Sequence, residues 1–183
     1  MSANEPVIRV RGLRNQFGAQ VVHENLDLEV KRGEIIGVVG GSGSGKSVLL
    51  RSIIGLNRPS AGSVELFGVD VTDLTDDKRS LIERRCGVLF QNGALFSSLT
   101  VSENVAVPLI EHHDLQPGLV KRLAALKIAL TGLPADAGAK TPAQLSGGMI
   151  KRAALARSLA LDPEILFLDE PTAGLDPIGA AAF

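Results

Sequence analysis

Tryptophan and tyrosine are absent from this 183-residue chain, and phenylalanine occurs only at Phe17, Phe67, Phe90, Phe96, Phe167 and Phe183. A core built on stacked rings is therefore excluded; aliphatic side chains must fill it, and each Phe is worth locating. Cysteine is nearly absent too. A lone Cys86 excludes an internal disulfide framework and argues against export to an oxidising compartment. No charge of one sign dominates: 19 Lys and Arg against 20 Asp and Glu leave a formal net charge of −1. Nothing in that balance calls for nucleic acid as a partner, or for an anionic membrane surface. No apolar run approaches the roughly 20 residues that span a bilayer, and Met1-Ser2-Ala3-Asn4-Glu5-Pro6 lacks the basic and apolar regions of a signal peptide. The expectation is a cytosolic chain whose membrane role, if it has one, is peripheral and runs through a partner.

What is present reads as alternating strands and helices. A chain of this length buries roughly 70% of its unfolded surface in one domain, so a self-sufficient core is feasible. Val7–Val10 and Leu26–Val30 read as short strands, the second with Leu26, Leu28 and Val30 inward and Asp27 and Glu29 outward. The apolar run in Glu34–Val39 predicts a strand buried on both faces. Ser47–Ile54 reads as a helix, Ser63–Phe67 as a strand, and Thr75 to Arg85 as a capped helix with an acidic first turn. Cys86–Phe90 returns to the sheet. Between Thr100 and Leu133 the pattern turns helical, with Val101/Val105 and Leu119/Leu123/Leu126/Leu130 as apolar stripes and Pro108, Pro117 and Pro134 as ends. A further helix over Gly148–Leu161 and a strand over Ile165–Asp169 follow.

Three segments carry chemistry. Gly40-Gly41-Ser42-Gly43-Ser44-Gly45-Lys46-Ser47 fits the phosphate-loop pattern in full, between a predicted strand and a predicted helix. Its glycines let backbone N–H groups converge on phosphate oxygens at a helix N-terminus. Lys46 would reach the β- and γ-phosphates, and Ser47 would hold Mg²⁺. Ile165–Leu168 delivers Asp169 and Glu170 to the C-terminal edge of a strand, where ligands sit in open α/β sheets. Asp169 suits Mg²⁺ coordination, and Glu170 suits general-base activation of water. Ser146-Gly147-Gly148, at the start of a helix, reads either as an ordinary cap or as a second anion site. One phosphate loop does not need two anion sites, so a second site implies a second copy of the chain. Gln91, after the Cys86–Phe90 strand, is either a surface glutamine or an oxygen ligand beside metal and water.

These residues, in this order, resemble the nucleotide-binding subunit of ATP-binding cassette (ABC) transporters along essentially the whole chain. In that resemblance Gly40–Ser47 is the Walker A loop, Gln91 the Q-loop glutamine and Leu145-Ser146-Gly147-Gly148-Met149 the signature. Ile165–Asp169 is Walker B, Glu170 the catalytic glutamate, and Ala173-Gly174-Leu175-Asp176 the D-loop. The resemblance implies an α/β P-loop NTPase core with an antiparallel β subdomain and an inserted α-helical subdomain over about residues 97–160. It assigns ATP and Mg²⁺ as cofactors, with Lys46, Gln91 and Glu170 catalytic, and Ser47, Gln91 and Asp169 around the metal. Phe17 would stack on adenine, with core packing as the other reading of this ring. Two copies would pair head to tail, each supplying Ser146, Gly147 and Gly148 to ATP held by the other.

Met149 stands where most members carry Gln. Together with Phe90–Val101 and the segment around His112, it resembles the Mla-type branch, whose ATPases drive phospholipid transport with MCE-domain proteins across the Gram-negative envelope. The implied partners are a second ATPase subunit, an integral membrane permease met through Phe96, Leu99 and Val101, and an MCE-domain lipid-binding protein, without nucleic acid. The implied location is the cytoplasmic face of the bacterial inner membrane. A transporter of another solute shares all these motifs, as would a soluble ABC ATPase acting on nucleic acid or ribosomes, though that class would bring a coiled-coil insertion or a basic tract. The family's switch histidine is expected beyond Glu170, and none of His23, His112 and His113 holds that place. The chain therefore resembles a cassette without its last strands, with impaired hydrolysis.

Overall fold

The computed structural model describes residues 5–72, 74–112 and 114–175; Asp176 of the D-loop, His113, Phe183 and the side chains of Asp76 and Asp77 lie outside that description. The chain divides into two compact units, Met1–Glu83 and Arg84–Phe183.

The first unit is built on an antiparallel sheet of order β2-β1-β3-β4, with β1 at Pro6–Phe17, β2 at Gln20–Lys31, β3 at Ala61–Leu66 and β4 at Val69–Asp70. Both opening strands run well beyond their predicted bounds, and β1 is irregular: its register to β2 shifts between Val10 and Leu13 and again near Asn15. Alternation sorts the side chains. Ile8, Val10 and Leu13 on β1 and Val64 and Leu66 on β3 are buried. On the other face Arg9 pairs with Glu29 at 3.3 Å and Glu65 at 3.0 Å, and Arg11 also reaches Glu29. Helix α1, Lys46–Ile53, adds Leu49 and Ile53 to the core. Helix α2 spans Asp76–Glu83, so Arg84 and Arg85 fall beyond its end.

Glu34–Val39 corrects the sequence expectation. No strand pairs with it among the described residues, and Ile35 and Val39 are 98% and 93% exposed. An apolar run is buried on both faces only when neighbouring strands satisfy its backbone and cover its side chains; here hydropathy alone is insufficient.

In the second unit β5, Cys86–Leu89, pairs parallel with β6, Ile165–Leu168, in the register Cys86↔Ile165 to Leu89↔Leu168. The Asp169 N–H continues this ladder to Leu89 O at 2.9 Å. Helices α3, Val101–His112, α4, Pro117–Leu130, and α5, Gly147–Ser158, pack around Val101, Val105, Leu109, Val120, Ala124 and Ile128. Pro108 lies inside α3 rather than at its end. It removes one backbone bond, yet Leu109 beside it is buried and the helix continues. The stripe on α4 is also shifted from the predicted one. Val120, Ala124, Lys127 and Ile128 face inward, whereas Leu126 and Leu130 are exposed. Lys127 is buried with its ammonium on Asp162. No helix among the described residues is long and apolar enough to cross a membrane.

Candidate functional site

The phosphate loop belongs to the first unit. Gly45 caps α1 with φ 93°, in the left-handed region that disfavours a β-carbon, and it is buried. A Cβ there would meet Val22 Cγ1 at 2.6 Å and His23 Nε2 at 2.7 Å, so β2 closes against the loop at this glycine. By contrast, a Cβ on Gly41 or Gly43 would meet nothing within 4 Å, which leaves the outer side of the loop open to a ligand. No side chain caps α1 and its first turn carries no acid, so the positive end of the helix is not neutralised from within. Lys46 folds back over the loop, its Nζ donating to Gly40 O at 2.9 Å and Gly41 O at 3.0 Å. Ser42 and Ser44 lie in the same exposed loop, and Ser47 lies in the first turn of α1. This set of donors fits a polyphosphate.

A buried polar cluster fixes the loop. Asn15, 1% exposed, accepts at Oδ1 from Ser52 Oγ at 3.1 Å and from Asn57 Nδ2 at 3.0 Å. Its Nδ2 therefore donates to His23 Nδ1, 3.1 Å away, which leaves the imidazole proton on Nε2, toward Gly45. Burial lowers the His23 pKa below its ordinary 6.5. Phe17 ends β1 half exposed, at the tip of the hairpin to β2. Core packing does not describe it; its ring is available as a stacking surface.

The second unit holds the carboxylates. Asp169 is buried directly after β6, while Glu170, exposed, has φ 48°, a left-handed backbone uncommon outside glycine. Gln91, just beyond β5, donates from Nε2 to Glu170 Oε2 at 2.9 Å. The parallel pairing of β5 and β6 brings the two together across 79 positions of sequence. The segment after Gln91 is held from two sides. Arg157 of α5 donates to Ala94 O at 2.6 Å and Gly93 O at 3.3 Å, with its guanidinium 5.9 Å from the Phe96 ring centroid. Asn104, wholly buried in α3, accepts from Phe96 N at 2.8 Å and donates to the carbonyls of Phe96, Leu99 and Thr100. Sequence reasoning named neither residue, since an Arg and an Asn inside helices read as solvated. Phe96 is exposed, but Val101, expected beside it on the outer surface, is 0% exposed and belongs to the core.

Ser146 caps α5, its Oγ accepting from Met149 N at 3.3 Å. Capping does not exhaust it, because a hydroxyl that accepts can still donate to an anion. Gly147 has open space where a Cβ would be, and Gly148 has only Leu175 Cδ2 at 3.7 Å. Met149 packs against the helical core, which accounts for an apolar residue at a position otherwise given to Gln.

A sequence profile of the ABC transporter family matches residues 23–173. The chain belongs to the ABC transporter family. This ABC chain is 41% identical over 175 residues to the intermembrane phospholipid transport system ATP-binding protein MlaF of Haemophilus influenzae, covering 96% of the chain and 66% of that protein. It is 43% identical over 174 residues to a probable ribonucleotide transport ATP-binding protein, mkl, of Mycobacterium leprae, covering 95% of the chain and 50% of that protein. The ABC chain thus spans between half and two thirds of the length of these relatives. Among solved structures, the dimeric post-hydrolysis state of the ATP-binding cassette MJ0796, bound to ADP and Pi, superposes with a TM-score of 0.89 at 31% identity. That match covers 96% of the ABC chain and 78% of the cassette. The fold is that of a P-loop ABC ATPase.

Proposed function

We propose that this protein is the ATP-hydrolysing subunit of an ABC transporter and that its cargo is phospholipid, handled with an MCE-domain protein. The Gln91–Glu170 hydrogen bond carries the reading: it couples a carboxylate suited to proton abstraction with an amide oxygen suited to metal or water, both at the C-terminal edge of β5 and β6. Gly40–Ser47 would bind the polyphosphate, with Lys46 neutralising charge as it develops on the γ-phosphate. Phe17 would stack on adenine. Ser47, Asp169 and Gln91 would hold Mg²⁺, which supplies charge neutralisation at the phosphates. Glu170 accepts a proton from water as the water oxygen bonds to the γ-phosphorus; the bond from that phosphorus to the ADP oxygen breaks, and ADP and phosphate leave.

Ser146, Gly147 and Gly148 would close over the γ-phosphate held by a second copy, giving a head-to-tail homodimer. The dimeric MJ0796 cassette supports this assembly. An integral permease would be met at the inner membrane's cytoplasmic face, through the helical subdomain of about residues 97–160 and exposed Phe96. For cargo, the similarity to MlaF favours phospholipid. The similarity to mkl favours ribonucleotide as the second reading. The test is Mg²⁺-dependent ATP hydrolysis by the subunit assembled with its permease. Phospholipid should stimulate turnover and Lys46→Ala should abolish it. Stimulation by ribonucleotide alone would select the second reading, and turnover surviving Lys46→Ala would reject the function.

A further inference from the structure

Among the described residues, Lys151 bonds main-chain carbonyls and no carboxylate. It lies one turn into α5, is 9% exposed, and donates from Nζ to two main-chain carbonyls, Glu170 O at 3.1 Å and Pro171 O at 2.9 Å. These carbonyls belong to the turn in which Glu170 has φ 48°, and Glu170 O also accepts from Ala173 N at 3.1 Å. A buried ammonium shared between two carbonyls makes charge-assisted bonds that hold stiffly, and a left-handed non-glycine residue persists only where its surroundings over-determine it. The helix that holds this turn is also the one Ser146 caps.

We propose that Lys151 is a positioning residue for Glu170: it clamps the backbone on both sides of the Glu170–Pro171 peptide, so that the Glu170 carboxylate stays on Gln91 and moves as one body with Ser146–Gly148. The catalytic part of this proposal rests on the ATPase reading above; the clamp itself does not. On this reading Lys151 acts through the Glu170 backbone and not on the nucleotide or the reacting water. Its loss should lower turnover without changing ATP affinity, since displacing a base from its working position costs rate rather than binding.

The test uses Lys151→Met, which keeps length and removes the charge, and Lys151→Arg, which keeps the donor. Both are made in the complete protein assembled with its permease and read by kinetics and amide hydrogen exchange. For Lys151→Met, kcat should fall about 10- to 100-fold with KM for ATP unchanged within about twofold. Exchange at Ala173, bonded to the clamped carbonyl, should rise while α3 and α4 keep their protection. Lys151→Arg should restore both. If Lys151→Met leaves Ala173 exchange and kcat at the wild-type level, the clamp does not exist. If exchange rises throughout α3–α5, or Lys151→Arg fails as fully as Lys151→Met, the residue is a fold element and the positioning role is overturned. Wild-type protein without ATP hydrolysis would reject the ATPase reading instead, and Ala173 exchange would still decide the clamp.

Discussion

Replacing Gly45 with Ala tests how closely β2 is packed on the phosphate loop. Two costs combine. A β-carbon at φ 93° sits in the left-handed region, where an L-residue loses about 1–2 kcal/mol. That carbon would also lie 2.6 Å from Val22 Cγ1 and 2.7 Å from His23 Nε2. Neither neighbour yields easily: Val22 is β-branched and stiff, and Asn15 holds the His23 ring at Nδ1. Overpacking of this kind costs about 1–3 kcal/mol. The sum, about 2–5 kcal/mol, is a large part of a stability of about 5–15 kcal/mol. Two loop variants separate the terms. Gly43→Ala, at φ 77° with nothing within 4 Å, should cost the strain alone, about 1–2 kcal/mol. Gly41→Ala, with open space and no positive φ, should be within about 0.5 kcal/mol of wild type. Urea unfolding without nucleotide measures all three, with midpoints compared at constant slope. Equal losses for Gly45→Ala and Gly43→Ala would refute the close approach, and three equal losses would refute the whole argument.

Three other outcomes follow from the same geometry. Because burial lowers the His23 pKa below 6.5, the unfolded chain takes up that proton first. Its contribution to stability is therefore complete above about pH 6.5 and is lost as pH falls below it, toward the folded-state pKa; His23→Gln should flatten the stability profile in that window, and an unchanged slope would contradict the assignment. Asn15→Ala strips partners from Ser52, Asn57 and His23, so calorimetry should show a loss of about 2–4 kcal/mol, whereas a neutral result would mean that water replaces the amide. Glu170→Gln should slow ATP turnover by about 10²–10⁴, or roughly 3–5 kcal/mol of barrier. It should leave nucleotide affinity nearly unchanged, because a glutamine oxygen can still accept from Gln91; equal losses in binding and turnover would argue against a base.

The candidate site was legible as pattern because it sits in short contiguous segments. Gly40–Ser47 and Ile165–Glu170 each join a backbone conformation to a charge pattern that few other tasks require, and Ser146 before two glycines marks a helix start. Less legible was what depends on distant partners. The run Ile35–Val39 has the hydropathy of a buried strand, yet burial is a property of neighbours, and no described strand lies alongside it. On α4 four leucines at helical spacing outweighed Val120, Ala124 and Ile128, which join residues of α3 and α5 in one core. Lys151, Arg157 and Asn104 escaped notice for one reason: each spends its polar atoms on main-chain groups, which leave no pattern in the sequence. Val101 failed as surface for the converse reason, being apolar beside exposed Phe96 but turned inward by α3.

The most direct measurement mixes two inactive subunits. Lys46→Ala disables the phosphate loop and Ser146→Arg blocks the signature end of α5; each, in the complete protein assembled with its permease, should hydrolyse ATP near background. If the site is shared between two copies, a mixed dimer contains one intact pair, the Ser146→Arg copy supplying the phosphate loop and the Lys46→Ala copy supplying Ser146. Equimolar co-assembly should then recover up to about a quarter of wild-type turnover. A mixture no more active than its components would contradict the shared site, and undiminished turnover by Ser146→Arg alone would show that one copy hydrolyses ATP unaided.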